Sequence, residues 1–233
     1  MFRYMLGGGD LRSYLISMLL SLPIILLSLS LHETAHGYVA WKLGDPTARN
    51  LGRLTLNPIK HLNLLGTICM LLAGFGWANP VPINTRYFKK PRRDMALSAL
   101  AGPVSNLALA LIFAILLRLI GYGYLMQRTY PTQFFATMAS FAILFLYYGV
   151  YMNITLAVFN LLPVPPLDGS RLLYWLLPPK TAYKISQYER YIAIGVMVLL
   201  LLGPLSTLID GITTLIMRGM FAITGMSNFF SFF

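Results

Sequence analysis

His32-Glu33-Thr34-Ala35-His36 lies in the second half of an apolar run from Leu11 to Leu43, and the reading of that stretch decides the fold. The run predicts one long helix. Positions four apart share a helix face, so imidazoles at 32 and 36 can bind the same metal ion. Three ionisable groups in five residues are costly within a hydrophobic helix, which makes them a functional candidate by default. The competing reading is a set of polar side chains facing a packed bundle or a proton path. Near the end of the run, Tyr38, Trp41 and Lys42 suit a membrane interface, where aromatic rings and snorkelling lysines collect. Gly44, Asp45 and Pro46 then stop the helix.

The whole chain fits that setting. Of its 233 residues 57% are hydrophobic and 11% charged, less than half the roughly 25% typical of soluble domains. Mean hydropathy is +0.68. A formal charge of +11 would point to nucleic acid in a soluble protein. Here the basic residues sit between apolar segments, so membrane orientation accounts for them and no nucleic-acid partner is expected. The run Lys89-Lys90-Pro91-Arg92-Arg93 suits anionic lipid headgroups. Cys69, the single cysteine, cannot form an intrachain disulfide and reads as a small core residue. Arg3, Arg12 and the apolar run mimic a signal peptide, but no small-residue cleavage site follows, so the segment is expected to be retained.

The predicted architecture is an all-α polytopic membrane protein, residues 1–233 forming one integral membrane domain. Spans are expected at Leu11 to Leu43, Met95 to Ile120, Phe134 to Leu162 and Tyr188 to Leu208. The tail from Gly211 to Phe233 lies along the interface or forms a weak extra span. Leu62 to Gly76 is apolar but short, interrupted by glycines, and flanked by two strongly basic loops, so it reads as a re-entrant element. Leu51 to Leu56 is a candidate short strand. Asn79-Pro80-Val81-Pro82-Ile83-Asn84 reads either as extended edge backbone that could take a substrate as an added strand or as a plain connecting loop. With this layout 13 of the 18 Lys and Arg residues fall on the side that carries the motif, which should be cytoplasmic, with both termini outside.

A catalytic zinc site keeps three protein ligands and one open position. Glu33, beside the two histidines, is placed to take a proton from a water activated by that metal. For the third ligand, Asp168 stands out among the acidic residues: it follows a span broken by Pro163, Pro165 and Pro166 and precedes Gly169. It reads equally as a helix N-cap. Asn160 is either a helix C-cap or an amide donor to an oxyanion. Asn106 reads more readily as an interhelical hydrogen-bonding residue than as a catalytic one. His61 is either a hydrogen-bonded interface residue or an extra group near the metal.

The two motifs together resemble the site-2 protease family of intramembrane zinc metalloproteases. That family pairs H-E-x-x-H with a second motif, which here reads Asn160-Leu161-Leu162-Pro163-Val164-Pro165-Pro166-Leu167-Asp168-Gly169. Gly102-Pro103-Val104-Ser105-Asn106 resembles a Gly-x-x-x-Asn feature on the family's intervening helix. The likeness covers roughly residues 29 to 173. It implies one Zn2+ per chain on His32, His36 and Asp168, Glu33 as general base, and Asn160 on the scissile carbonyl or its oxyanion. The expected activity is endoproteolysis of transmembrane protein substrates within the bilayer of a bacterial or archaeal cell membrane, on the cytoplasmic side. The runner-up is a catalytically silent zinc-binding membrane protein that scaffolds clients, against which the intact Glu33 argues. A transporter is disfavoured by four spans without an inverted repeat.

Overall fold

The computed structural model describes residues 11–63, 66, 79–126 and 132–227. Helix α1 (Leu11–Lys42) is the long apolar helix expected. A single turn, α2 (Thr47–Asn50), follows. Helices α3 (Pro91–Met126) and α4 (Gln133–Leu161) are the next two spans. They are succeeded by α5 (Gly169–Leu176), α6 (Pro179–Gln187), α7 (Glu189–Leu202) and α8 (Pro204–Ile223). Four of these, α1, α3, α4 and α8, are long and apolar enough to cross a membrane. Among the described residues there is no strand. The chain is an all-α polytopic membrane protein.

The core shows why these helices pair. Buried residues recur every four positions along α4, at Leu146, Val150, Ile154 and Val158, and along α8, at Ile209, Thr213, Met217 and Phe221. They pack with Ala110, Phe113, Ala114 and Leu117 of α3. Lipid tails are as apolar as these side chains, so close packing rather than escape from water holds the bundle. The alanines of α3 let the helix backbones approach. On the opposite faces Ile112, Ile115, Leu119, Leu201, Leu202 and Leu215 are exposed, an apolar surface suited to acyl chains rather than water.

Two expectations are corrected. The last span does not run from Tyr188 to Leu208. Gly203, at φ 104°, ends α7 in the left-handed region, and Pro204 starts α8. Glycine is the residue that takes that conformation without strain, and proline is favoured at a first helical position, so one apolar stretch becomes two helices. The crossing length belongs to α8, and the tail after Gly211 is largely within it. Separately, α6 and α7 meet at a 64° bend. The second correction is Leu51 to Leu56, which forms no strand. Its backbone is tied by turns, Gly52 N–H to Arg49 O and Arg53 N–H to Ala48 O. The Thr55 carbonyl is taken by side chains, the Thr34 hydroxyl at 2.6 Å and His61 Nε2–H at 2.8 Å.

The expected re-entrant element, together with Cys69 and the chain termini, falls mainly outside the described residues. Its flanks are described, and they meet. Asn79 N–H donates to His61 O at 2.7 Å, and Asn63 Nδ2 donates to Asn79 Oδ1 at 3.1 Å. Arg53 Nη2 donates to Asn79 O at 2.7 Å, and Asn84 N–H donates to Asp45 Oδ2 at 2.6 Å. A single crossing would put the two loops about 30 Å apart. Cysteines placed at Arg53 and Lys89 in a Cys69→Ala background should therefore both label from the same side of sealed vesicles. Labelling from opposite sides would overturn this topology.

Candidate metal centre

The site is assembled from α1, α3 and the turn between α4 and α5. His32 and His36 are buried one helical turn apart on α1, with Nε2 atoms 2.9 Å from each other. Asp168 Oδ2 lies 3.1 Å from the first and 3.2 Å from the second. Neither contact has hydrogen-bond geometry, and the oxygen has no hydrogen-bond partner. Asp168 occupies the N-cap position of α5, yet its side chain makes no capping hydrogen bond. Of its two readings, the cap is the one the geometry disfavours.

The protonation pattern follows from the surroundings. His36 Nδ1 lies 2.7 Å from the Ser98 carbonyl, which can only accept, so Nδ1 carries the proton and Nε2 presents its lone pair. A carbonyl that accepts from one ring nitrogen fixes the orientation in which the other could meet a metal. Pro103, four residues after Ala99, lacks the N–H that would bond the carbonyl next to that of Ser98. The lone pair of His36 Nε2 thus faces a second imidazole nitrogen and a carboxylate oxygen. With the His32 proton on Nδ1, three lone-pair atoms at these separations repel one another unless a cation lies among them. Nitrogen and oxygen ligands of a tetrahedral zinc lie about 3.3 Å apart, close to the edges found here, so the donor set fits that ion. Among the described residues this is the one group of three such side chains that could hold a metal.

Two glycines make the approach possible. A Cβ on Gly102 of α3 would lie 2.4 Å from His36 Nε2 and 2.6 Å from His32 Cε1. Gly169 sits against the Leu161 and Leu162 carbonyls, where a Cβ would come within 2.3 and 2.4 Å. The close turn returns the neighbouring Asp168 to the end of α4. Arg92 Nη2, at the start of α3, donates to the Tyr174 and Leu177 carbonyls and so fastens the C-terminal end of α5.

Glu33 is half-buried, and its Oε2 accepts a 2.8 Å hydrogen bond from the Val81 N–H. Asn160, on the last turn of α4, donates one amide hydrogen to the Leu156 carbonyl of its own helix at 2.9 Å, leaving the other unused by that bond. His61 lies outside the ligand group and serves the Thr55 carbonyl, the interface role. Asn106, one turn beyond Gly102 on the same face, is fully buried with neither amide atom hydrogen-bonded, so the expected interhelical bond is not made. Sequence reasoning did not reach Ser98 or Val81, which act through main-chain atoms that side-chain identity does not encode. Gly102 carried a signal in its Gly-x-x-x-Asn setting.

Replacing Gly102 by Ala should weaken metal retention by about ten-fold or more, the scale seen when groups supporting a metal's ligands are changed, while leaving all three candidate ligands in place. Asp168→Ala should lose the metal outright. Elemental analysis after graded chelator competition, with helicity checked by circular dichroism, reads both. Retention of metal by Asp168→Ala equal to that of the wild type would remove Asp168 from the ligand set.

The comparisons with known proteins agree with this centre. A family model described as Peptidase family M50 matches residues 20–204. The chain is 48% identical over 171 residues to "Putative zinc metalloprotease YwhC" of Bacillus subtilis (strain 168), covering 72% of this chain and 73% of that protein. It is 32% identical over 187 residues to "Putative zinc metalloprotease Rip2" of Mycolicibacterium smegmatis, covering 78% of this chain and 66% of that one. No solved structure matches. A model spanning most of the chain, and a relative sharing nearly half its residues, establish that the chain belongs to peptidase family M50, the site-2 protease family.

Proposed function

We propose that this membrane protein is an intramembrane zinc endopeptidase that hydrolyses peptide bonds in or near the transmembrane segments of other membrane proteins. One zinc per chain is held by His32, His36 and Asp168. The observation that carries this reading is the convergence of three atoms able to ligate a metal within 3.2 Å of one another, with a carboxylate one residue from the first histidine. When bound, zinc supplies an activated water at neutral pH and a Lewis acid for the scissile carbonyl.

The chain's own groups do the rest. Glu33 takes the proton from the attacking water and delivers it to the leaving amine. The second amide hydrogen of Asn160 bonds the carbonyl oxygen as charge develops on it, an interaction worth about 3 kcal/mol in other oxyanion sites. Ser98 holds His36 in the tautomer that presents Nε2. Substrate helices unwind locally before cleavage, because an intact helix shields its carbonyl carbons.

The active site lies toward the cytoplasmic side of a bacterial or archaeal cell membrane. Lys42 at the end of α1 has its ammonium 4.7 Å from the Trp41 ring centroid and 5.4 Å from that of Tyr38, and the Arg49 guanidinium lies 4.8 Å from the Trp41 centroid. The aromatic and basic cluster suits the headgroup level. His36 precedes Lys42 by six residues, about 9 Å along the helix. Water therefore reaches the metal by a short path between the two loops.

Glu33→Gln is nearly isosteric but cannot accept the water proton. It should keep zinc and fold while losing hydrolysis of a membrane substrate by about a thousand-fold or more, within the range of a lost general base. Substantial residual cleavage would show that another base operates. Product ends mapped by mass spectrometry should cluster in the cytoplasmic third of the substrate span, and cuts at its outer end would refute the depth assigned here.

A further inference from the structure

Glu33 stands in an apolar helix with few groups able to satisfy it. Its Oε2 accepts from the Val81 main-chain N–H at 2.8 Å, and among the described residues Oε1 accepts no hydrogen bond. Val81 is flanked by Pro80 and Pro82, neither of which has an N–H to offer. Among the described residues the donor facing Glu33 is singular, and it is set in a stiff stretch of chain.

That stretch is fixed at both ends by groups outside the metal ligands. Before it, Arg53 Nη2 donates to the Asn79 carbonyl at 2.7 Å. After it, the Asn84 N–H donates to Oδ2 of Asp45, a fully buried carboxylate whose Oδ1 accepts from the Thr47 N–H at 3.0 Å. In the middle, the buried Val81 side chain rests on α1 at Gly37, where a Cβ would lie 2.9 Å from Val81 Cγ1. The segment reads in the sequence either as an edge for a strand partner or as a connecting loop, and its inward N–H is spent on Glu33.

We propose that the Val81 main-chain N–H is the positioning donor for Glu33: it holds Oε2 and leaves Oε1 to take the proton of the attacking water. The proposal rests on the endopeptidase reading above and adds to it a residue that touches neither metal nor substrate. A charge-assisted hydrogen bond to a backbone amide is short and directional, and it keeps a half-buried carboxylate from swinging among rotamers. Asp45 and Arg53 act behind Val81 by fixing where its N–H stands.

Val81→Pro removes the N–H between two residues that are already prolines. With zinc content equal to the wild type, kcat should fall roughly thirty-fold or more while KM stays within about two-fold, as expected for a misplaced base. Val81→Ala shortens the side chain but keeps the N–H, and should retain kcat within about three-fold of the wild type. If Val81→Pro fails to fold, α-hydroxyvaline introduced at position 81 by nonsense suppression replaces the N–H with an ester oxygen and makes the same comparison. A readout independent of turnover is thermal unfolding of the zinc-loaded protein. Removing the N–H should lower Tm by roughly 5 °C more in the wild type than in Glu33→Ala, since the partner is then already gone. Equal Tm losses in both backgrounds, an unchanged kcat, or a loss confined to KM would each overturn the proposal, the last by making Val81 a substrate-binding donor. Coupling in Tm from a chain that cleaves no membrane substrate would instead sink the endopeptidase reading while leaving the contact standing.

Discussion

An imidazole pair inside an apolar bundle needs something to accept its outward protons and something to share its inward lone pairs. Here the 2.7 Å bond from His36 Nδ1 to the Ser98 carbonyl meets the first need for one ring, while His32 Nδ1 has no hydrogen-bond partner among the described residues, and Asp168 brings a third atom that could hold a metal to the second. Much else follows from bringing these groups together. Helix α3 must come close enough for its backbone to serve an α1 side chain, which is why Gly102 lies against both rings. The α4–α5 turn must fold back tightly enough to return a carboxylate, which is why Gly169 lies on the last carbonyls of α4. Packing in the apolar core away from the histidines tolerates exchange of one aliphatic group for another of similar volume. Near the rings, a single methyl group would displace a ligand.

The irregular backbone is organised around the same helix. Thr34, in the middle of the histidine motif, donates to Thr55 O, and His61 donates to the same carbonyl. Glu33 receives Val81 N–H. Two residues of one five-residue motif thus bind two different loops, while the histidines on either side of them face the candidate metal position. On one helix turn, successive side chains point in different directions. The motif is a hub: two faces fasten walls and a third gathers ligands.

The sequence revealed most where side-chain chemistry is expensive. His32, Glu33 and His36 stand out because charge is rare in a spanning helix, and Asp168 stands out through the prolines before it. The long helices α1, α3 and α4 are legible because an apolar run of that length has few other uses. Three features were not legible, for different reasons. Hydropathy averages across Gly203-Pro204, so one stretch concealed the boundary between α7 and α8. The run from Leu51 to Leu56 has the residues of a strand but no neighbouring strand among the described residues, and its Thr55 carbonyl is claimed by Thr34 and His61. Ser98 and Val81 contribute a carbonyl and an amide, groups that nearly every residue carries, so only the fold shows which ones matter.

The placement of these irregular segments bears on how a lipid-embedded protein can perform hydrolysis. Backbone that leaves the helix at membrane depth survives only if other protein groups satisfy it or if it lines a cavity. In this chain, side chains satisfy it: Arg53 bonds Asn79 O, Asp45 accepts from Asn84 N–H, Asn57 accepts from Ile59 N–H, and Arg92 bonds the end of α5. All of these lie at the end of the bundle that carries the histidines. The polar groups that keep loops folded there can also bond water, whereas the core of α3, α4 and α8 is apolar apart from the buried Asn106, Asn153 and Thr213. Admitting water and supporting non-helical backbone are thus one structural problem, and the motif helix, through Thr34 and Glu33, is part of its solution.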